Sequence, residues 1–250
     1  MSERERANHG SQSRPNPPSK AAAYLGALRE GELELEGRMP WSSNGTYLVR
    51  VCHKGELSRA VYKPVHGERP LWDFPPGLYR RELAAYVLSE ALGWGFVPET
   101  VVREGPLGTG SLQRFVPSDF EQHYFTLLER PEQHDTLKAI CLFDLLGNNA
   151  DRKGGHCLLG EDGRVWSVDH GLCFHADPKL RTVMWDFEGQ PIPEPLVADV
   201  ARLAVSVPGE LASLLDDDEC SALTARATAI VRRPVFPPAR SARPYPWPLV

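Results

Sequence analysis

The apolar pattern changes character once along this chain, near residue 116, and that change constrains the fold more than any other feature. Before it the pattern is mostly two-residue, and after it mostly helical. GELELEGR (31–38) alternates Leu33 and Leu35 with charge, as a half-buried strand does. TYLVRVCHK and SRAVYKPV are β-rich runs separated by Gly55-Glu56, which predicts a hairpin. LYRRELAAYVLSEALG then reads as one amphipathic helix, with Leu83, Tyr86, Val87, Glu90 and Ala91 at helical spacing and Gly93 as its stop. FVPETVVREG and GTGSLQRFV give two more strands, joined by a Gly-rich turn. The expectation is a five-stranded sheet with one helix inserted after the third strand.

Beyond residue 116, HDTLKAICLFDLLGNN predicts a buried core helix. Two short strands follow, GHCLLG and VWSVD, around the turn EDGR. Further helices are expected at 177–186, 194–206 and 216–233, the last with Asp216, Asp217 and Asp218 at its acidic start. The fold class is therefore α+β and two-lobed, with a β-rich N-lobe over 21–116 and a mainly helical C-lobe over 117–233. Residues 1–20 read as a disordered tail. The Pro/Arg-rich stretch 234–250 cannot be a helix or an inner strand, though Phe236, Tyr245 and Trp247 can lay it against the body.

Composition narrows the function. A net charge of −5 over 250 residues leaves no basic face for broad nucleic-acid binding. No apolar run approaches the roughly 20 residues of a membrane-spanning helix, and the polar N-terminus does not read as a secretory signal. Five cysteines without a CxxC pair read as reduced thiols of a cytoplasmic protein.

The chemistry concentrates in LFDLLGNNADRKGGHCLLGEDGRVWSVDHGLCF. Asp151 lies in the loop closing the core helix, and Asp169 follows the second short strand. Two carboxylates at the mouth of a small hairpin can serve one pocket, one orienting a nucleophile and one holding a metal. Each can equally be a turn-forming Asp. Lys63 in the third strand and Glu82 in the following helix are the kind of pair that positions nucleotide phosphates. Ahead of them Ser42, Ser43, Asn44, Gly45 and Thr46 form a small polar loop able to present backbone N–H groups to phosphates.

This order of loop, Lys, Glu, strand, Asp and Asp resembles the protein-kinase-like superfamily. YKP, FVPETVV, SLQRFV, NNADRKGGH and VDHGLCF look most like the phosphatidylinositol 3-/4-kinase branch, in particular its type II 4-kinases and a small actinobacterial type of member. The resemblance covers about residues 31–175. It implies an ATP-dependent kinase, using Mg²⁺ or Mn²⁺, that moves the γ-phosphoryl to a hydroxyl on an inositol lipid, a small molecule or a protein. Asp151 is then the catalytic Asp, and Lys153 stands near the γ-phosphate. Lys63 is the phosphate-binding lysine oriented by Glu82. Ser43, Asn44, Gly45 and Thr46 cover the phosphates. Gln113, Phe115 and Val116 form the hinge at the adenine. Asp169 is the metal ligand.

The chain departs from this pattern at His156, where the family places a metal-binding Asn. His156 then ligates a transition-type ion, contacts phosphate or marks weakened catalysis, while Asn148 or Asn149 stands by to supply an oxygen. The alternative function is a pseudokinase that binds nucleotide or a protein partner without turnover. A third reading gathers His156, Cys157, His170, Cys173 and His175 into a zinc site. The segment 67–77, with Trp72, reads as a rigid linker or as a flap over the site, the linker being favoured.

Overall fold

The computed structural model describes residues 20–40, 42, 44–239 and 241–250. Ser43, Trp41 and residues 1–19 of the expected N-terminal tail lie outside them. The strands form where the two-residue pattern is: β1 (Glu32–Arg38), β2 (Tyr47–His53), β3 (Glu56–Pro64), β4 (Thr100–Gly105) and β5 (Gly108–Arg114). They make one antiparallel sheet in the order β1-β2-β3-β5-β4. Tyr47 faces Tyr62, Val49 faces Ala60 and Tyr62 faces Leu112. Alternation along β3 therefore sends Tyr62 to one face and Lys63 to the other.

The Tyr62 face buries Val49, Val51, Ala60, Val101 and Leu112 beneath a helix that the sequence reading did not contain, α1 (Lys20–Glu30). Leu28 is its one fully buried residue, with Leu25 and Ala27 packed beside it. KAAAYLGALRE carries too thin an apolar stripe to announce a helix, so the sheet face is what holds it.

The inserted helix α2 (Leu78–Leu92) ends at Gly93 as expected, in a left-handed cap (φ 77°). Its buried side is wider than the predicted stripe. Arg81, Glu82, Ala84, Ala85, Val87, Leu88, Ser89 and Leu92 are all buried, whereas Glu90 is exposed. The reason is that α2 packs against β4 and β5 and also enters the core of the C-lobe. That core centres on α4 (His134–Gly147), where Leu137, Ile140, Leu142, Phe143 and Leu146 are inaccessible to solvent.

After α4 come β6 (Cys157–Leu159) and β7 (Val165–Ser167), paired antiparallel. The short α3 (Tyr124–Leu128) precedes α4, and α5 (Glu194–Val205), α6 (Gly209–Ala212) and α7 (Asp217–Arg232) complete the lobe. Asp216 caps α7, accepting from Glu219 N while Glu219 reaches back to Asp216 N. No described helix is long and apolar enough to cross a membrane.

The helix expected at 177–186 does not exist. Residues 177–184 are irregular, followed by a short 3₁₀ turn at Trp185–Phe187. Their backbone partners lie in the loop after α4: Arg181 N donates to Asn149 O, Arg152 N to Arg181 O, and Val183 N to Arg152 O. Those bonds replace the intrahelical ones.

Segment 67–77 joins β3 to α2. The Glu68 carboxylate accepts from Gly77 N and Tyr79 N, capping α2 where Gly77 offers no side chain. Phe74 packs with Leu78 and Ala150 and stands edge-on to His175. Trp72 projects almost wholly into solvent. The start of this segment also locks the β1–β2 loop. Gly45 N donates to Gly67 O at 2.8 Å, and a Cβ on Gly67 would sit 2.6 Å from Gly45 O. Gly67→Ala is expected to cost about 1–3 kcal/mol, because the obstacle is backbone rather than a movable side chain. Urea unfolding checks this, and an unchanged midpoint would show that the contact gives way.

Candidate active site

Lys63, Glu82 and Asp169 come from a strand, a helix and a loop, and they meet at one point. Lys63 Nζ pairs with Glu82 Oε1 and lies 2.9 Å from Asp169 Oδ1, across 106 positions of sequence. The second oxygen of Glu82 accepts from His170 N at 3.0 Å. One buried carboxylate thus ties the β3 lysine to the Asp169-His170-Gly171 backbone. Gly171 leaves it room, since a Cβ there would lie 3.4 Å from Glu82 Oε1. Desolvation opposes the Lys63 charge, but Asp169 and Glu82 outweigh it and hold its pKa above the ordinary lysine value. Desolvation alone would raise the Asp169 pKa. Lys63 and His156 overcome it and hold the carboxyl well below the usual range. Asp169 itself sits at φ 61°, an uncommon backbone for a non-glycine residue, and its side chain is half exposed.

The loop after α4 supplies the opposite wall. Asp151 pairs with Lys153 Nζ at 3.2 Å. Burial and the Asp169 charge raise its pKa against the pull of Lys153. His156 Nε2 stands 3.4 Å from Asp169 Oδ2, and burial lowers its pKa to about 4 despite that carboxylate. The ring is therefore neutral near pH 7 and keeps a nitrogen lone pair.

The other expected contacts are partly redirected. Thr46 is buried, with its hydroxyl 2.7 Å from Ser42 Oγ and its N–H on Asn44 O. The Asn44 side chain accepts from Arg69 N. With Gly45 N on Gly67 O, the N–H groups of both Gly45 and Thr46 are engaged within the loop and the link, not turned toward the cleft. Ser43 lies outside the described residues. The buried Gln113 side chain donates to Thr100 Oγ1, and Phe115 N donates to Arg59 O. Val116 is buried with Leu158 and Trp166.

The amide oxygen of each asparagine upstream of Asp151 already accepts one backbone N–H. Asn148 accepts from Lys179 N and donates to the carbonyls of His175 and Asp177. Asn149 accepts from Asp151 N and donates to Asp144. The Cys/His cluster does not converge either. Cys157 and Cys173 are buried thiols whose pKa values burial raises, and His170 Nε2 lies against Arg152 and Ser167. Among the described residues, no group of three or more His, Cys, Asp or Glu is placed to hold a metal ion unaided.

Sequence reasoning missed the residue that shapes this wall, Arg152. Its guanidinium is fully buried and makes a two-pronged pair with Asp144 at 2.8 and 3.0 Å. It also donates to Val168 O at 2.8 Å and His156 O at 3.3 Å, and it meets His170 Nε2 at 2.9 Å. An arginine has no lone pair to offer, so His170 Nε2 is the acceptor and its proton sits on Nδ1, which is buried without a partner. The sequence signal was Asp144, an acid inside the apolar run LFDLL, which demands a buried cation. Arg152→Met strands Asp144 and is expected to cost about 3–5 kcal/mol. The double variant with Asp144→Leu should recover a large part of that loss in urea unfolding. A single variant as stable as the parent would contradict the pairing.

Three comparisons bear on this geometry. No protein-family model matches the chain. In fold it is similar to the Golgi casein kinase solved with Mn/ADP bound, at TM-score 0.58 and 15% identity, covering 91% of this chain and 80% of that one. It is similar to hydra Fam20 solved with sugar, at TM-score 0.57 and 16% identity over 86% and 89% of the two chains. It is also similar to the Helicobacter pylori proinflammatory kinase CtkA, at TM-score 0.52 and 12% identity over 82% and 93%. The fold is thus a kinase-like one. In sequence it is 29% identical, over 57% of its length, to phosphatidylinositol 4-kinase gamma 4 of Oryza sativa, spanning only 31% of that protein. It is 41% identical to Protein Rv2133c of Mycobacterium tuberculosis over 88% of this chain and 93% of that protein. Overlap of that extent and identity places the chain in one family with Protein Rv2133c.

Proposed function

We infer that the protein is an ATP-dependent phosphotransferase, related to the phosphatidylinositol 3-/4-kinases, that delivers the γ-phosphoryl of ATP to a hydroxyl. The observation that carries this reading is the meeting of Lys63, Glu82 and Asp169 opposite Asp151. Four charged groups from distant parts of the chain have no need to converge on a half-open cleft for stability alone.

Lys63, fixed by Glu82, offers its ammonium to the α- and β-phosphates of the substrate nucleotide. Asp151 orients the acceptor hydroxyl and takes its proton, a task favoured by the raised pKa of its carboxyl. Lys153, beside Asp151, places a second positive charge where the transferring group arrives. Asp169 and His156 are the metal-binding pair. The Asp169 oxygen and His156 Nε2, 3.4 Å apart, would suit Mn²⁺ at least as well as Mg²⁺ once the ring proton, held on Nε2 while Nδ1 faces Lys153 N, has left that nitrogen. Two ligands do not make a closed site, so the rest of the coordination shell falls to nucleotide phosphates and water, as is usual for Mg²⁺ sites. When bound, the metal neutralises charge on the phosphates. The Golgi casein kinase, which shares the fold, carries Mn/ADP.

Thermal melting with ATP in Mn²⁺ and in Mg²⁺ tests the reading. A ligand at a hundred times its dissociation constant stabilises by about 2.7 kcal/mol, a shift of roughly 5–10 °C for a chain of this size. The shift should need the metal, vanish in Asp169→Ala and survive in Asp151→Asn. The latter should lower phosphoryl transfer by about 100-fold or more. No shift in either metal would remove the nucleotide site. A shift without transfer to any hydroxyl would favour the inactive, nucleotide-binding alternative.

His156 carries its own expectation. His156→Asn replaces imidazole with an amide oxygen and should move the Mn²⁺/Mg²⁺ preference toward Mg²⁺ by about tenfold. An unchanged preference would show that His156 is not a ligand.

A further inference from the structure

The Pro-rich end of the chain does more than lie against the body. Phe236 is buried, and Phe236 N and O bond to Gln190 O and Gly189 N. Further on, Pro244 O accepts from Thr182 N at 2.9 Å and from Trp185 Nε1 at 3.3 Å. Leu249 O then accepts from Gly154 N at 2.7 Å. Residues 244–250 therefore form a strap between the 182–185 segment and the turn Gly154–His156.

That turn carries two of the proposed site residues. Lys153 caps it, with Lys153 O accepting from His156 N at 3.2 Å and Lys153 N directed at His156 Nδ1 at 3.4 Å. From this frame Lys153 reaches Asp151 and His156 reaches Asp169. Gly154 is buried, and its N–H, the leading one of the turn, donates to the strap carbonyl. The turn lies directly against the strap, and its tightest neighbour is the Phe125 ring of α3. A Cβ on Gly154 would lie 3.0 Å from the Phe125 ring and 3.4 Å from Leu249 O, and one on Gly155 would lie 3.7 Å from Val250.

The strap's side chains are poorly buried. Trp247 is 86% exposed and Val250 55%. Its hold is thus mostly main-chain hydrogen bonding, which adds little to global stability but fixes direction. A merely packed tail would show the opposite balance.

We propose that Leu249 is a positioning residue, whose carbonyl fixes the Gly154–His156 turn so that Lys153 and His156 face the reacting groups. The proposal rests on the phosphotransferase reading, and its test separates the two. The full chain is compared with a variant ending at Pro246 and with Leu249→Ala, which keeps the carbonyl. Amide exchange is followed over 152–157, together with the affinity for Mn·ATP and the release of ADP from Mn·ATP. In the shortened variant, exchange at Gly154 should rise at least tenfold and ADP release should fall at least tenfold, with weaker Mn·ATP binding because His156 is no longer held toward Asp169. Leu249→Ala should stay within threefold of the parent in all three. Unchanged exchange in the shortened variant overturns the proposal, whether or not nucleotide binds. Faster ADP release overturns it as well, because it would make the strap a cover rather than a support. If the full chain fails to bind Mn·ATP, the phosphotransferase reading falls, while the exchange measurement still judges the strap.

Discussion

Everything around the cleft depends on one buried carboxylate, Glu82. It lies in a helix that is buried on most of its circumference, and an unpaired charge there would cost several kcal/mol. The protein resolves this by giving each oxygen a partner from a different part of the chain, Lys63 from β3 and His170 N from the Asp169 loop. The relative placement of sheet, helix and loop is thereby set by satisfying a single charge. Replacing the trio with apolar residues of similar size would suit stability as well or better. The placement of a second acid, Asp169, half-exposed beside Lys63 therefore speaks for chemistry rather than for packing.

A second buried pair, Asp144 with Arg152, does the same for the opposite wall. Helix α4 presents Asp144 inside an otherwise apolar core, and the arginine answering it reaches to Val168 O, His156 O and the His170 ring. Asp144 also accepts from Asn149, which accepts from Asp151 N. The loop bearing Asp151 and the loop bearing Asp169 are thus referenced to the same carboxylate. Shifts in one wall are transmitted to the other through hydrogen bonds rather than through loose packing.

The legible part of this architecture was the part written in local periodicity. The five strands, their single inserted helix, α4, the β6–β7 hairpin and the capped start of α7 follow from two- and 3.6-residue patterns and from turn residues. The Lys63–Glu82 pair could be read because strand and helix order is local information. What stayed illegible depends on partners distant in sequence. Helix α1 exists because a sheet face needs covering. Residues 177–184 form no helix because the Arg152 loop takes their backbone bonds. The β1–β2 loop looks free to hold phosphates until Gly67 is seen to engage Gly45. Arg152 sits one residue from a predicted catalytic acid, yet only its buried partner reveals its role.

The distribution of these ties limits where the site can change shape. Helix α2 contributes Ala84, Val87 and Leu88 to the core it shares with α4, and Arg81 beside Glu82 makes a buried pair with Glu219 of α7 while donating to Cys173 O. Swinging α2 away from Lys63 would expose that core and strand Glu219, at a cost of several kcal/mol. The helix is therefore fixed in its engaged position. The segments whose ties are few and mostly main-chain are the β1–β2 loop on Gly67 and the 244–250 strap on Gly154. Each such bond contributes only about 1 kcal/mol net, so the Gly45–Gly67 bond can be exchanged for contacts with a nucleotide, whereas the strap bond has to persist to hold the turn that bears Lys153 and His156. Adjustment on binding thus falls to the loop around Gly45, while Lys63, Glu82, Asp151 and Asp169 are held ready by the fold.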